Sequence, residues 1–326
     1  MARRLSFDGY DGGKPVAIPD VPAPVRGGGR AHSLARVLEI ALEKAGLRLG
    51  YDAIMGLCGL AFRTPPWPKK PTPTLADETA ALNALSRALG DCLTVLDGGE
   101  ALGDDELIET VAEAVAAGNP CIALGWGSDK DHWSIITGYD RGKRRFIGHC
   151  LVDEPRRQYE SWPPAVRMLV AVTGKPSPRG PEAVRDALQA GARRRADEGK
   201  GRYEAWTEEM RRLERPPGGE HELAVELLAD ARAAAAGFAE RVSELEREIP
   251  AAWLGRAAER WREVVELLEA RGVPWSPEAL AALEEAGGRE DWAELLEVAA
   301  KLEDEAAVAV RLSASADYLP DEASPW

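Results

Sequence analysis

The chain has 326 residues, of which 45% are hydrophobic and 29% are charged, and its formal net charge is −14. This composition is typical of a folded, water-soluble protein, and the length allows two domains. No apolar run approaches the ~18 residues of a membrane-spanning helix, and the charged first residues lack the apolar stretch of a secretory signal. We therefore expect a cytoplasmic protein with no membrane partner.

The charge is distributed unevenly along the chain. Residues 1–175 carry 21 basic and 22 acidic side chains, which leaves 20 basic and 33 acidic side chains for residues 176–326. An acidic half of this kind repels nucleic acid, so we expect no nucleic-acid partner. The four cysteines lie in or beside apolar runs without CxxC spacing, which favours buried thiols over disulfides or a zinc site. No metal or other cofactor is predicted.

The first half of the chain is predicted to be α+β. Residues 1–30 are rich in glycine and proline and predict an extended arm without a regular element. A helix begins at about Ser33, a natural N-cap, and stops at Gly46, because apolar residues recur at helical spacing between them. Further helices are predicted over 51–62, 77–89 and 104–117, and strands over 93–96, 121–126, 133–137, 145–152 and 166–172. Helices followed by sequential strands favour an antiparallel sheet.

The second half is predicted to be an all-α bundle. The sequence GKPSPRGP at 174–181 indicates a linker between an α+β domain at 1–175 and a helical domain at 182–315, with a loose tail at 316–326. Helices are predicted over 182–198, 201–214, 220–248, 251–271, 277–286 and 290–313. Their apolar stripes are typical of packing seams. Only His221 offers a metal-type ligand on the long stripes, so no cofactor site is expected there.

One histidine and one aspartate stand where catalytic folds often place them. A hairpin turn signal at Asp140-Arg141-Gly142-Lys143 joins two strand patterns. If the turn centres on Arg141 and Gly142, His132 lies opposite about Leu151, and Asp153 lies at the same end of the ribbon. An imidazole oriented by a carboxylate is part of a nucleophilic triad. The alternative is a strand-end His132 that pairs with Asp131 or solvent.

These motifs together resemble the papain-like cysteine peptidase fold. The order of the segments matches that fold: a helix after a small-residue arm, a strand that opens after Gly-Asn-Pro, the segment HWSIITGYD, and a strand ending in VDEP. The pattern is similar to the domain that trims bacteriocin leaders in export transporters and to the N-terminal domain of butirosin-biosynthesis protein H. The segment at 51–67 and the helical half also resemble a group of bacterial proteins with this two-part layout.

The resemblance implies a catalytic set in which the nucleophile is changed. In that group a Cys begins the first helix, a His followed by an aromatic residue begins a strand, and an Asp precedes a Pro one strand later. His132 and Asp153 match the last two elements. The count of thirteen residues back from Gly46 gives Ser33 in place of the Cys, and Gly27 stands where the helper glutamine is expected.

Three hypotheses for function remain open. The first is a papain-like domain that has lost its thiol and serves as a degenerate binding or scaffold protein. The second is an active Ser-His-Asp amide hydrolase or acyltransferase that acts on a peptide or a carrier-bound acyl group, since butirosin protein H, as the resemblance implies, transfers an acyl group from a carrier protein. The third is a structural bundle with an appended α+β domain, in which Ser33 is only a helix cap.

The remaining candidates have alternatives of their own. Cys58 is a rival nucleophile in an apolar segment that favours a structural thiol, and Cys121 and Cys150 read as core residues on strands. His149 and His32 are weak candidates for a second imidazole, and Asp131 is expected to be a solvated carboxylate. A basic cluster between Arg141 and Arg157 predicts an anionic small molecule, a peptide or an acyl-carrier-type ligand, with a solvated face as the alternative.

Overall fold

The structure is a computed structural model that describes residues 15–25, 30–97, 104–127, 130–150, 157–161, 166–245, 249–273 and 275–314. It divides into two compact units, Met1–Tyr51 with Leu89–Pro178, and Asp52–Ala88 with Arg179–Trp326. The change of unit at Pro178 lies inside the predicted linker. Residues 52–88, which the sequence analysis grouped with the first domain, are part of the second unit, where Phe62 packs against Phe238 and Trp261.

The described elements are ten helices, seven strands and two short turns of other helical types. The helices are α1 (Ser33–Lys44), α2 (Tyr51–Leu57), α3 (Leu75–Ala88), α4 (Asp104–Ala116), α5 (Pro181–Arg194), α6 (Lys200–Arg212), α7 (Gly219–Leu245), α8 (Ala251–Ala270), α9 (Pro277–Ala282) and α10 (Ala286–Ala314). The strands are β1 (Val16–Ala17), β2 (Leu93–Asp97), β3 (Cys121–Leu124), β4 (Trp133–Asp140), β5 (Arg145–His149), β6 (Arg157–Ser161) and β7 (Met168–Val172). The predicted α+β class and the antiparallel sheet are confirmed, while β6 was not predicted.

The first unit is built around one antiparallel sheet of order β2-β7-β3-β4-β5-β6, with β1 paired to β4. Helix α4 packs on one face, where Val111 lies in a buried cluster with Cys121 and Ala123. Ile122 and Leu124 point to the opposite face because side chains alternate along a strand. They are equally buried, and α1 packs against β3 and β4. The sheet is therefore covered on both faces, with α1 and α4 as its helices.

The arm before α1 contributes a strand, contrary to the prediction. Val16 and Ala17 pair with Tyr139 and Gly138 of β4, and the amide of Ile18 donates to the carbonyl of Thr137 at 2.8 Å. The reason lies in Gly138: a Cβ at this position would lie 2.4 Å from the carbonyl oxygen of Val16. The missing side chain lets the arm approach the backbone of β4, so a short stretch of an otherwise extended segment joins the sheet.

The hairpin turn is longer than predicted. Asp140 pairs with Arg145 across four turn residues, where a two-residue turn would pair Asp140 with Lys143. The Asp140 carboxylate accepts a hydrogen bond from the Lys143 amide at 3.0 Å, and Arg144 takes the left-handed backbone conformation with φ of 47°. A bulge between Ile136 and Gly138 offsets part of this shift. Ile135 therefore pairs with His149, one residue from the predicted partner.

The second unit consists of the remaining helices. Its core contains Tyr203 and Trp206 of α6, Val225 of α7, Val264 of α8 and Trp292 of α10. Helices α5 and α6, predicted as separate, run into each other through a π-helical turn, Arg195–Gly199. The other predicted helices of this half are confirmed to within a few residues. Among the described residues, no helix is both long and apolar enough to cross a membrane.

Candidate functional site around Ser33 and His132

The start of α1 is held in place by contacts with Tyr51, and the preceding Arg30 also contacts this tyrosine. His32 is the N-cap residue with extended backbone and no side-chain cap bond, and its carbonyl accepts the first helical hydrogen bond from the Arg36 amide at 3.2 Å. The His32 amide donates to the Tyr51 hydroxyl at 3.2 Å, and the Arg30 guanidinium lies over the Tyr51 ring at 5.1 Å. His32 itself is buried. These contacts hold the first turn of α1 in one position.

Ser33 is the first helical residue and not the cap. Its hydroxyl oxygen accepts a hydrogen bond from the backbone amide of Trp133, the first residue of β4, at 3.2 Å. The prediction of Ser33 as the N-cap is therefore wrong, because its hydroxyl bonds to a strand one hundred positions later and not to its own helix. His132 directly precedes Trp133 and is half-buried. The start of α1 and the start of β4 thus meet at one point.

The loop that carries His132 is attached to the start of β7. The Arg167 guanidinium donates to the Lys130 carbonyl at 2.7 Å and lies 3.7 Å from the exposed Asp131 carboxylate. The Arg167 amide donates to the Leu124 carbonyl at 2.8 Å. These bonds fix the backbone on the N-terminal side of His132, while the Ser33 bond fixes it on the C-terminal side. Asp153 lies outside the described residues, so its pairing with His132 stays a prediction.

The chemistry open to this arrangement follows from Ser33. A hydroxyl can accept up to two hydrogen bonds and donate one, so the bond from Trp133 leaves its proton for another acceptor. The N-terminus of a twelve-residue helix presents unpaired backbone N–H groups and partial positive charge, which favours a carbonyl or an anion beside Ser33. The site is therefore equipped for hydrogen bonding to a polar ligand group.

The cysteines are poorly placed to act as nucleophiles. All are buried free thiols, as predicted. Burial raises the pKa of Cys58 and of Cys121 to about 12, and it also raises the pKa of Cys92. A thiol acts as a nucleophile through its thiolate, which is scarce at neutral pH for a group of such pKa. Cys58, the rival nucleophile, directly follows α2 and belongs to the other unit. Its thiol donates a hydrogen bond to the Met55 carbonyl at 3.5 Å.

The basic cluster is only partly available to a ligand. Arg145 lies 3.5 Å from the buried Asp140 carboxylate, and the Arg141 guanidinium lies over the Tyr139 ring at 5.4 Å. Lys143 and Arg144 are exposed on the turn. His149 is half-buried on β5, and the side chains of Arg156 and Arg157 lie outside the described residues. The turn therefore presents two exposed cations at the end of the β4–β5 hairpin, opposite the end of β4 where His132 lies.

Two features of the helical unit were missed by sequence reasoning. His221 is surrounded by four tryptophan rings at centroid distances of 5.4–5.7 Å: Trp67, Trp206, Trp275 and Trp292. In addition, α3 and α5 border a groove of about 570 Å³ that several arginines line. The alanines that recur every four residues on both helices could have indicated the groove, because they leave one face of each helix without large side chains. Nothing in the spacing of the tryptophans indicated that they meet around one histidine.

No protein-family model matches the chain, and no curated protein matches it. Among the described residues, no group of three or more His, Cys, Asp or Glu side chains is arranged to hold a metal ion. The candidate site is therefore defined by its own geometry and by the resemblance of its motifs.

Proposed function

We propose that the first unit is a papain-like domain in which Ser33 has replaced the catalytic cysteine, and that it works as a binding module and not as a thiol peptidase. The observation that carries this proposal is the hydrogen bond from the Trp133 amide to the Ser33 hydroxyl, because it joins the helix start to the strand start that carries His132. A papain-like enzyme uses its nucleophile and its histidine at the corresponding two points. The burial of all four cysteines supports the loss of thiol chemistry.

Binding at this point follows from groups that need no covalent step. The first N–H groups of an α-helix have no partner within the helix. Those at the start of α1, with the half-buried His132 imidazole, are suited to a carbonyl or carboxylate of a peptide or related ligand. The exposed Lys143 and Arg144 follow the last residue of β4, whereas His132 precedes its first residue, so any attraction they exert on an anionic or acyl-carrier-type ligand acts at the opposite end of this strand. A ligand with an extended backbone fits a papain-like cleft, since enzymes of this fold bind peptides there.

A second function is favoured by one specific observation. The Ser33 hydroxyl still has its proton to donate, and it lies against the residue that follows His132. If His132 accepts that proton and Asp153 orients the imidazole, the set forms a Ser-His-Asp amide hydrolase or acyltransferase. Catalysis would then need a base at His132, because an unassisted serine hydroxyl is a poor nucleophile at neutral pH.

A serine-directed probe separates the two functions. We expect a fluorophosphonate to label the wild-type protein no faster than Ser33→Ala, because a binding module has no activated serine. Labelling that disappears in both Ser33→Ala and His132→Ala would establish the enzyme instead. Ser276→Ala is the matched control, since Ser276 caps α9 by accepting a bond from the Ala279 amide and lies far along the chain.

A further inference from the structure

The second unit contains a groove between α3 and α5, which we call the α3–α5 groove. The amide of Arg179, just before α5, donates to the carbonyl of Ala88, the last residue of α3, at 2.9 Å. At the other end of α5, the Arg194 guanidinium donates to the carbonyl of Gly59 at 3.0 Å. The groove encloses about 570 Å³, a volume typical of small-molecule sites.

The walls of the α3–α5 groove are made of small side chains. Ala80, Ala84 and Ala88 line it from α3, and Ala183 and Ala187 line it from α5. Residues four apart lie on the same face of a helix, so each helix turns a row of methyl groups toward the groove. Because alanine side chains are small, these rows leave space in the groove for the apolar part of a ligand.

The charge of the groove changes along its length. At the end where α5 begins, Arg87 and Arg179 are accompanied by the carboxylates of Glu182 and Asp186. At the end where α5 stops, Arg193 and Arg194 line the groove. The carboxylates that follow them, Asp197 and Glu198, are outside the lining, and Glu198 pairs with Arg202. Asp77 lies outside the lining, accepts hydrogen bonds from the Thr74 amide and hydroxyl, and is 3.6 Å from Arg63. The excess positive charge therefore lies at the end of α5.

This positive charge contrasts with the rest of the second half of the chain, since residues 176–326 carry 20 basic and 33 acidic side chains. Guanidinium groups bind carboxylate, phosphate and sulfonate groups through paired N–H donors. Arg194 is already oriented by its bond to Gly59, which reduces the side-chain entropy lost when an anion binds. Arg193 is exposed beside it.

We propose that the α3–α5 groove binds an amphipathic organic anion. The anionic group is held by Arg193 and Arg194, and the apolar body lies over the alanine rows of α3 and α5. This site is separate from the one around Ser33, and it does not depend on the function proposed there. The chemical class is a small molecule with one carboxylate, phosphate or sulfonate group and an aliphatic or aromatic body.

The probe for this site is 8-anilinonaphthalene-1-sulfonate, which has a sulfonate on an aromatic body and becomes fluorescent when it binds. We expect saturable binding of one molecule to the full-length protein. Arg193→Gln and Ala190→Phe are expected to weaken it at least tenfold, the first by removing a cation and the second by filling the groove from an exposed position on α5. Octanoate is expected to displace the probe, whereas acetate, which lacks the apolar body, is not.

The matched controls are Arg256→Gln and Ala252→Phe, at exposed positions of α8 outside the groove. They are expected to bind the probe like the wild type. Thermal unfolding of every variant shows whether it is folded, so that exposed core is not mistaken for a site. The proposal is overturned if the folded wild type shows no saturable binding, or if the groove variants bind as tightly as the controls. Equal displacement by octanoate and acetate would also contradict it, because the apolar body would then play no part.

Discussion

Arg232 and Glu303 form a buried ion pair in the helical unit, and all three guanidinium nitrogens of Arg232 donate hydrogen bonds. Both Glu303 oxygens accept from Arg232, and the remaining donors reach the carbonyls of Ala61 and Arg63 at 2.9 and 3.1 Å and the Thr64 hydroxyl at 3.0 Å. Arg232 therefore connects α7 to α10 and to residues 61–64, which include part of the 3₁₀ turn Leu60–Phe62.

This arrangement predicts a large asymmetry between single and paired substitutions. Glu303→Gln leaves a buried guanidinium without its counter-ion, and we expect a loss of about 3–5 kcal/mol in the free energy of unfolding. The pair Arg232→Met with Glu303→Gln removes both charges and keeps a side-chain acceptor for Tyr203 and Arg195, and it is expected to lose less than Glu303→Gln alone. Urea unfolding measures both; a loss for the pair that equals or exceeds the loss for Glu303→Gln would contradict this asymmetry.

Tyr203 completes this network. Its hydroxyl donates to Glu303 at 2.6 Å, and burial together with the Glu303 carboxylate holds the pKa of Tyr203 well above its ordinary value. Tyr203→Phe removes this bond without removing the ring. A net loss of about 1 kcal/mol is expected in the same unfolding experiment.

His221 predicts a pH dependence of stability. Burial lowers its pKa to about 3, and its Nδ1 accepts a hydrogen bond from the Trp206 indole at 3.2 Å. The unfolded chain binds a proton at this residue below about pH 6.5, whereas the folded chain does so only near pH 3. Its contribution to stability is therefore complete above pH 6.5 and decreases as the pH falls toward 3.

The variant His221→Gln tests this dependence, because glutamine keeps an acceptor for Trp206 and does not titrate. Between pH 7.5 and pH 5, the wild type is expected to lose about 2 kcal/mol more than the variant in the free energy of unfolding. Parallel pH profiles would show that His221 takes up its proton over the same pH range in the folded and unfolded chains, which would contradict a pKa lowered by burial.

Gly138 controls whether the arm joins the sheet. A Cβ there would lie 2.4 Å from the Val16 carbonyl oxygen, so Gly138→Ala is expected to displace β1 and to cost about 1–3 kcal/mol. Gly255→Ala is the matched control: nothing lies within 4 Å of its Cβ, and it is in the interior of α8, where the change should stabilise by about 0.5–1 kcal/mol. Opposite signs in thermal unfolding support the close approach; a loss at both positions would not.

The elements of the fold followed from local pattern, whereas their contacts often did not. Helical spacing of apolar residues predicted α1 and the helices of the second half, since amphipathic periodicity depends only on neighbours along the chain. The strand at Val16 depends on a glycine more than 120 residues later, and the hairpin register depends on the Asp140 side chain and on Arg144. Such features are set by tertiary contacts that propensity does not contain.

The candidate site shows the same division. The count back from Gly46 led to Ser33, and the resemblance implied that it faces His132. The backbone partner of its hydroxyl could not be predicted, because an N-cap role explained the residue equally well. The contact of Ser33 with Trp133 is a tertiary one. The alanine rows of the α3–α5 groove resembled ordinary packing seams, and only the distribution of arginines at its two ends distinguishes them.

Alkylation of Ser33→Cys tests the central claim most directly, namely that Ser33 stands at a nucleophile position beside His132. The wild type is expected to resist iodoacetamide near neutral pH, since its four cysteines are buried. The new thiol is expected to react faster than that of Ser276→Cys, which also lies at a helix start, and His132→Ala should slow the reaction. A Ser33→Cys thiol that reacts no faster than the Ser276→Cys thiol, with or without His132, would contradict the account.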